Sequence, residues 1–98
     1  MKVVAITSCA TGIAHTYMAA EAIKKICKMR GYECKVEMQG ALGIENMLSK
    51  TDIESADLII FANDVGINKE ERFKNYGEKI IRVTPHNVIK NPNIIFNE

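Results

Sequence analysis

Cys9 is the residue through which this sequence could do covalent chemistry, and its neighbours suit phosphate. It stands in the run Ser8-Cys9-Ala10-Thr11-Gly12-Ile13-Ala14-His15-Thr16, after an apolar stretch at 3–6 and before a helical pattern lasting to about Arg30. A thiol is therefore placed at the carboxyl end of a buried strand, on a short turn opening into a helix. The N–H groups of such a turn and of a first helical turn form a concave anion site. The same positive field favours thiolate over thiol. A nucleophilic sulfur in a phosphate-shaped cradle can carry a phosphoryl group, so Cys9 is the candidate nucleophile. Ala10, Thr11, Gly12, Ile13, Ala14, His15 and Thr16 are the candidate phosphate loop. Gly12 would admit close backbone approach. Thr11 and Thr16 can donate hydroxyls to phosphate oxygens or cap the helix.

Cys9 and His15 have the spacing of the Cys-x-x-x-x-x-Arg loop of low-molecular-weight tyrosine phosphatases, with histidine in place of arginine. A phosphatase needs a bidentate guanidinium on the transferring group and an acid for the leaving oxygen. Without the arginine, the loop is better suited to passing phosphate onward than to hydrolysing its ester. His15 can touch phosphate, shuttle a proton, or bond locally in the first helical turn.

The elements that must position this loop are legible in the hydropathy pattern. A two-faced helix over 14–30 places Ala19, Ala22, Ile23, Ile26 and Cys27 on one side and Glu21, Lys24, Lys25 and Lys28 on the other, with Gly31 as its stop. Residues 33–38 alternate strictly, the signature of a strand buried on one face, and put Cys34 inward with Val36 and Met38. The turn at 39–43 leads to a short helical piece over 44–48, and Thr51-Asp52-Ile53-Glu54 has capping-box spacing. Residues 58–62 are continuously apolar, as in strands covered on both faces. Asn68 predicts a helix cap for 69–76, with Gly77 as its end. A fourth strand covers 79–83, and Thr84-Pro85 opens a last short helix closed by Asn91-Pro92. The apolar tail at 94–96 either docks on the body or runs toward a neighbouring domain. This alternation predicts an α/β fold, a three-layer αβα sandwich on a four-stranded parallel sheet of order 2-1-3-4. The arrangement is flavodoxin-like, with a crevice where the strand order reverses. Cys9 lies in that crevice, flanked by Gln39 and by Asp64, both candidate supporting residues. Asp64 can orient the loop or serve its own turn.

Ninety-eight residues make one domain over 1–98, with 47% hydrophobic and 26% charged residues, enough for a single core. A net charge of +1 without a basic aromatic cluster does not point to nucleic acid. No stretch approaches the roughly 20 apolar residues of a membrane span. Three cysteines at irregular spacing suggest neither a disulfide framework nor a zinc site, so reduced thiols, a cytoplasmic setting, no metal and no cofactor are expected. Cys27 and Cys34 read as core thiols, and His86 as a surface residue.

Four stretches together carry a resemblance: Cys9-Ala10-Thr11-Gly12-Ile13-Ala14-His15-Thr16-Tyr17-Met18-Ala19-Ala20, Glu37-Met38-Gln39-Gly40, Gly43-Ile44-Glu45-Asn46 and Ala56-Asp57. The chain resembles enzyme IIB domains of the fructose branch of the bacterial phosphoenolpyruvate-dependent sugar phosphotransferase system. Ala10 departs from the proline usual there. The resemblance implies that Cys9 accepts phosphate from a phosphohistidine IIA domain. It would then pass the group to a sugar of the fructose type, taken up through a membrane IIC component at the inner face of the membrane. The competing readings are a phosphatase-like or arsenate-reductase-like cysteine enzyme and a non-catalytic anion-binding regulatory module.

Overall fold

A computed structural model describes residues 1–10, 13–41 and 43–96. The chain runs β1 (Lys2–Ser8), α1 (Ile13–Met29), β2 (Glu33–Gly40), β3 (Gly43–Glu45), α2 (Lys50–Ser55) and β4 (Leu58–Asn63). Two 3₁₀ turns (Glu70–Phe73 and Gly77–Lys79), β5 (Ile80–Val83), α3 (Pro85–Lys90) and a final 3₁₀ turn (Pro92–Phe96) follow. The sheet order is β3-β2-β1-β4-β5.

The expected four-stranded, all-parallel sheet is corrected by this order. The sheet has five strands and is mixed, because β3 pairs antiparallel with β2 while the other pairings are parallel. The alternating strand is consequently not an edge. The helical piece expected over 44–48 is absent. Gly40 pairs with Gly43, leaving two residues between the strands, and Gly43 adopts φ +122°, a conformation that L side chains rarely reach. Asn46 at φ 55° then turns the chain away from β3.

A second correction concerns the helix expected over 69–76. Asn68 does not cap it: its backbone N–H donates to the Gln39 side chain, and Lys69 takes the left-handed conformation (φ 60°). Arg72 engages the Lys69 and Asn68 carbonyls, which an α-helix would need, so only a 3₁₀ turn forms. Gly77 opens the next 3₁₀ turn rather than ending a helix.

The sheet carries a core on each face, because successive strand residues point to opposite sides. Val3, Ala5, Val36, Met38, Ile60 and Ala62 pack with Ala19, Ile23, Cys27 and Val88 beneath α1 and α3. Val4, Ile6, Ile59 and Phe61 pack with Leu48, Ile53 and Phe73 on the other side. The central strands β1 and β4 are thus buried on both faces, as their apolar runs predict. Ser49 and Asp52 form the capping box of α2. Thr84 caps α3 with Pro85 in its first turn. The tail docks: Ile95 is buried, and Phe96 meets Tyr32 edge-on under Arg30. No helix among the described residues is long and apolar enough to cross a membrane.

Candidate functional site around Cys9

The carboxyl ends of β1, β2 and β4 meet on one side of the molecule, because Ser8 is in register with Gln39 on one flank and Asn63 on the other. Cys9 follows β1 there. Its sulfur lies in an open cleft of about 290 Å³, walled by Ser8 and Ala10, by Gln39, Gly40 and Ala41, and by Val65, Gly66 and Asn68. The side chain is partly exposed, as an attacking sulfur must be.

Asp64 and His15 stand near that sulfur. The Cys9 S–H donates to Asp64 Oδ2 over 3.4 Å, and the Ala10 N–H donates to Asp64 Oδ1 over 2.8 Å. The Asp64 backbone N–H is anchored on the Ser8 carbonyl. His15 Nδ1 stands 3.8 Å from the sulfur. Asp64 therefore already occupies, with a carboxylate, an amide that the loop can offer to an anion. Ala14 is exposed in the first turn of α1. Thr16 is buried, its hydroxyl unpaired, and it lines a neighbouring cleft with Tyr17 and Glu45, whose side chains are hydrogen-bonded. Thr11, Gly12 and the side chain of Ile13, all expected in the phosphate loop, lie outside the described residues.

Gln39 is almost fully buried, and its amide is fully engaged. Nε2 donates to Glu37 Oε2 (2.7 Å) and to the Asn68 carbonyl (3.0 Å), while Oε1 accepts from the Asn68 N–H (2.8 Å). Glu37, read from the alternation as solvent-facing, is wholly buried. Arg72 binds it through both terminal nitrogens at 2.9 Å, and the Leu48 N–H donates to it at 2.8 Å. Burial pushes the Glu37 carboxyl up, but the bonds from Arg72, Gln39 and Leu48 outweigh burial and hold it below the ordinary glutamate range. The burial of Glu37 and its pairing with Arg72 escaped the sequence reading. A polar residue two positions before Gln39 on the same strand face was the only available signal for Glu37, and nothing in the sequence pairs it with Arg72.

The other thiols are placed differently. Cys27 is fully buried, and Cys34 packs against the same core. Its hydrogen bond to Cys27 and its burial push the Cys34 thiol up, which suits inert packing. His86 is exposed.

A partly exposed thiol directly after the first strand and ahead of the first helix, at the reversal of strand order, defines a class of small α/β domains with a cysteine at the carboxyl edge of the sheet. Within it, the chain belongs to the IIB family of the sugar phosphotransferase system, since the family model described as "PTS system, Lactose/Cellobiose specific IIB subunit" matches residues 4–98. It is 45% identical over 97 residues to the PTS system fructose-like EIIB component 2 of Escherichia coli strain K12, covering 99% of this chain and 90% of that protein. It is 46% identical over 90 residues to the fructose-specific EIIB'BC component of Rhodobacter capsulatus, covering 92% of this chain and 15% of that much longer protein. The crystal structure of a predicted fructose-specific IIB from Escherichia coli superposes with a TM-score of 0.89 at 35% identity, covering 97% of this chain and 82% of that one.

Proposed function

We propose that residues 1–98 form a single fructose-type IIB phosphotransferase domain whose Cys9 carries the phosphoryl group. The relatives named as fructose-type B components support a phosphocarrier of that branch. The donor would be a phosphohistidine on a IIA domain, and the acceptor a sugar of the fructose type presented by a membrane IIC component. Relatives that join B and C components in one chain support the second partner. The domain would then work in the cytoplasm, at the inner face of the membrane.

The single observation that carries the reading is the partly exposed Cys9 sulfur with a carboxylate in place for its proton. In the first step the S–P bond forms as the N–P bond of the donor breaks, and the bonding pair stays on the imidazole nitrogen. The imidazole leaves neutral when its other nitrogen carries a proton. Asp64, already the acceptor of the Cys9 S–H, takes the thiol proton. The Ala10 N–H, released from Asp64, turns to a phosphoryl oxygen together with the groups of residues 11–16. In-line attack requires the donor ring to cover the cleft, so docking uses the 39–41 and 65–68 walls. In the second step, after exposed Asp64 has released the first proton to solvent, a sugar hydroxyl displaces the thiolate, the O–P bond forms as S–P breaks, and Asp64 takes the hydroxyl proton.

His15 stands where a phosphatase would place its arginine, so water receives no bidentate clamp for attack at the same phosphorus. The test is discharge of the phosphorylated domain. Phosphate should leave rapidly only when IIC-containing membranes and a fitting ketose are both present. Equally fast loss to water alone, with turnover of aryl phosphates by the isolated chain, would replace the carrier by the phosphatase.

A further inference from the structure

The buried cluster behind the cleft has no place in the transfer chemistry, yet a chain of its bonds leads from Arg72 through Glu37 and Gln39 to the cleft. Arg72 ties together three backbone carbonyls, from two segments of the chain, and one carboxylate. Its fork closes on Glu37, Nη1 reaches the Leu48 carbonyl (3.3 Å), Nε the Lys69 carbonyl (2.8 Å) and Nη2 the Asn68 carbonyl (3.4 Å). Glu37 in turn fixes the Gln39 amide, and Gln39 takes both backbone polar groups of Asn68. Asn68 is part of the cleft wall facing Cys9. The 65–68 turn is thus held from both ends, by Asp64 at its start and by Gln39 at its close.

We infer that Glu37 and Arg72 are positioning residues for phosphoryl transfer: through Gln39 they fix Asn68 and set the wall of the cleft over Cys9. The inference rests on the carrier reading above. The side-chain types fit the task. A planar guanidinium holds a carboxylate in one orientation, whereas a lysine ammonium is a single point charge without that fork. A carboxylate held by two N–H groups of arginine and one of a backbone amide presents its remaining lone pair to Gln39 in one direction only. That direction decides which way the Gln39 amide faces, and with it the placing of Asn68. Two different partners must present their reacting atoms to one sulfur at this wall, and small misplacement of reacting groups costs rate steeply.

Arg72→Lys is the first variant, since it keeps the charge and removes the fork. Glu37→Met combined with Arg72→Met is the second. It removes the pair as a unit and keeps apolar volume, which buried ion pairs generally tolerate better than loss of one partner. Each is compared with the parent chain for thermal unfolding, for alkylation of Cys9 by iodoacetamide, and for exchange of the Asn68 amide. Single-turnover uptake of phosphate from a phosphorylated fructose-type IIA domain is measured as rate at saturating donor and as half-saturation. We expect folded variants whose Cys9 alkylates within about twofold of the parent, with faster Asn68 exchange. The saturating transfer rate should fall about tenfold or more, with half-saturation changed much less. A folded variant that transfers at the parental rate overturns the assignment, as does slowed transfer with Asn68 protection intact. A parent chain that accepts no phosphate overturns the carrier reading and this assignment with it. Parental transfer that survives in the variants removes the assignment alone.

Discussion

The two flanks of Cys9 each place a carboxylate near the cleft and treat it in opposite ways. On the β4 flank Asp64 is exposed and bonded to the Cys9 sulfur and the Ala10 amide. On the β2 flank Glu37 is sealed from water and neutralised by the Arg72 fork. A carboxylate that must exchange a proton and give way to an anion has to stay near solvent and loosely held. A carboxylate that fixes a wall has to be buried, paired and saturated with donors, because an unpaired buried charge is costly. Position along the strand decides between them. Asp64 lies just beyond the end of β4, while Glu37 lies inside β2, in register with Ile6 of β1.

The contrast breaks most visibly at Glu37. Glu37→Gln leaves the Arg72 guanidinium without its counter-charge and should cost about 3 kcal/mol of unfolding free energy, read by urea denaturation. Asp64→Asn should act the other way round, on rate rather than stability. We expect unfolding within about 0.5 kcal/mol of the parent and phosphate uptake slowed about tenfold, roughly 1.4 kcal/mol of activation free energy. Unchanged uptake in Asp64→Asn would remove the proton-acceptor role. The smallest effect is in the pH dependence. The Glu37 carboxyl lies below the ordinary value of 4.5, so on acidification the unfolded chain binds the proton first. Its contribution is therefore complete above about pH 4.5 and is lost as pH falls through the folded value. Glu37→Gln should flatten that part of the acid limb, measured as urea midpoints between pH 6 and 3.

Much of this was legible in the chain, for physical reasons that also explain the failures. The runs 3–6 and 58–62 are apolar without alternation because both faces of β1 and β4 are covered, and the Thr84 cap acts locally, whereas the capping box of α2 falls on Ser49 and Asp52 rather than on the expected Thr51 and Glu54. Cys9 stands out as the candidate nucleophile because it falls outside every apolar pattern, while Cys27 and Cys34 fall on one and pack against the core. The β3 hairpin and the 69–76 region were misread because tertiary bonds decided them. Gly43 at positive φ permits a hairpin where helical spacing also fits, and the Gln39–Asn68 and Arg72 bonds displace the expected helix start. Alternation in β2 gave the right facing of Cys34, Val36 and Met38 but not the fate of the opposite face, since the residues covering Glu37 arrive from 48 and 72.

The central claim is that Cys9 is the phosphoryl carrier. Intact-mass measurement tests it after incubation with phosphoenolpyruvate, the general phosphotransfer proteins and a matching IIA domain. The account predicts a gain of one phosphoryl group by the parent chain, mapped to Cys9, and none by a folded Cys9→Ser variant. No gain by the parent, or a gain that persists in Cys9→Ser because it sits on His15 or His86, would contradict it.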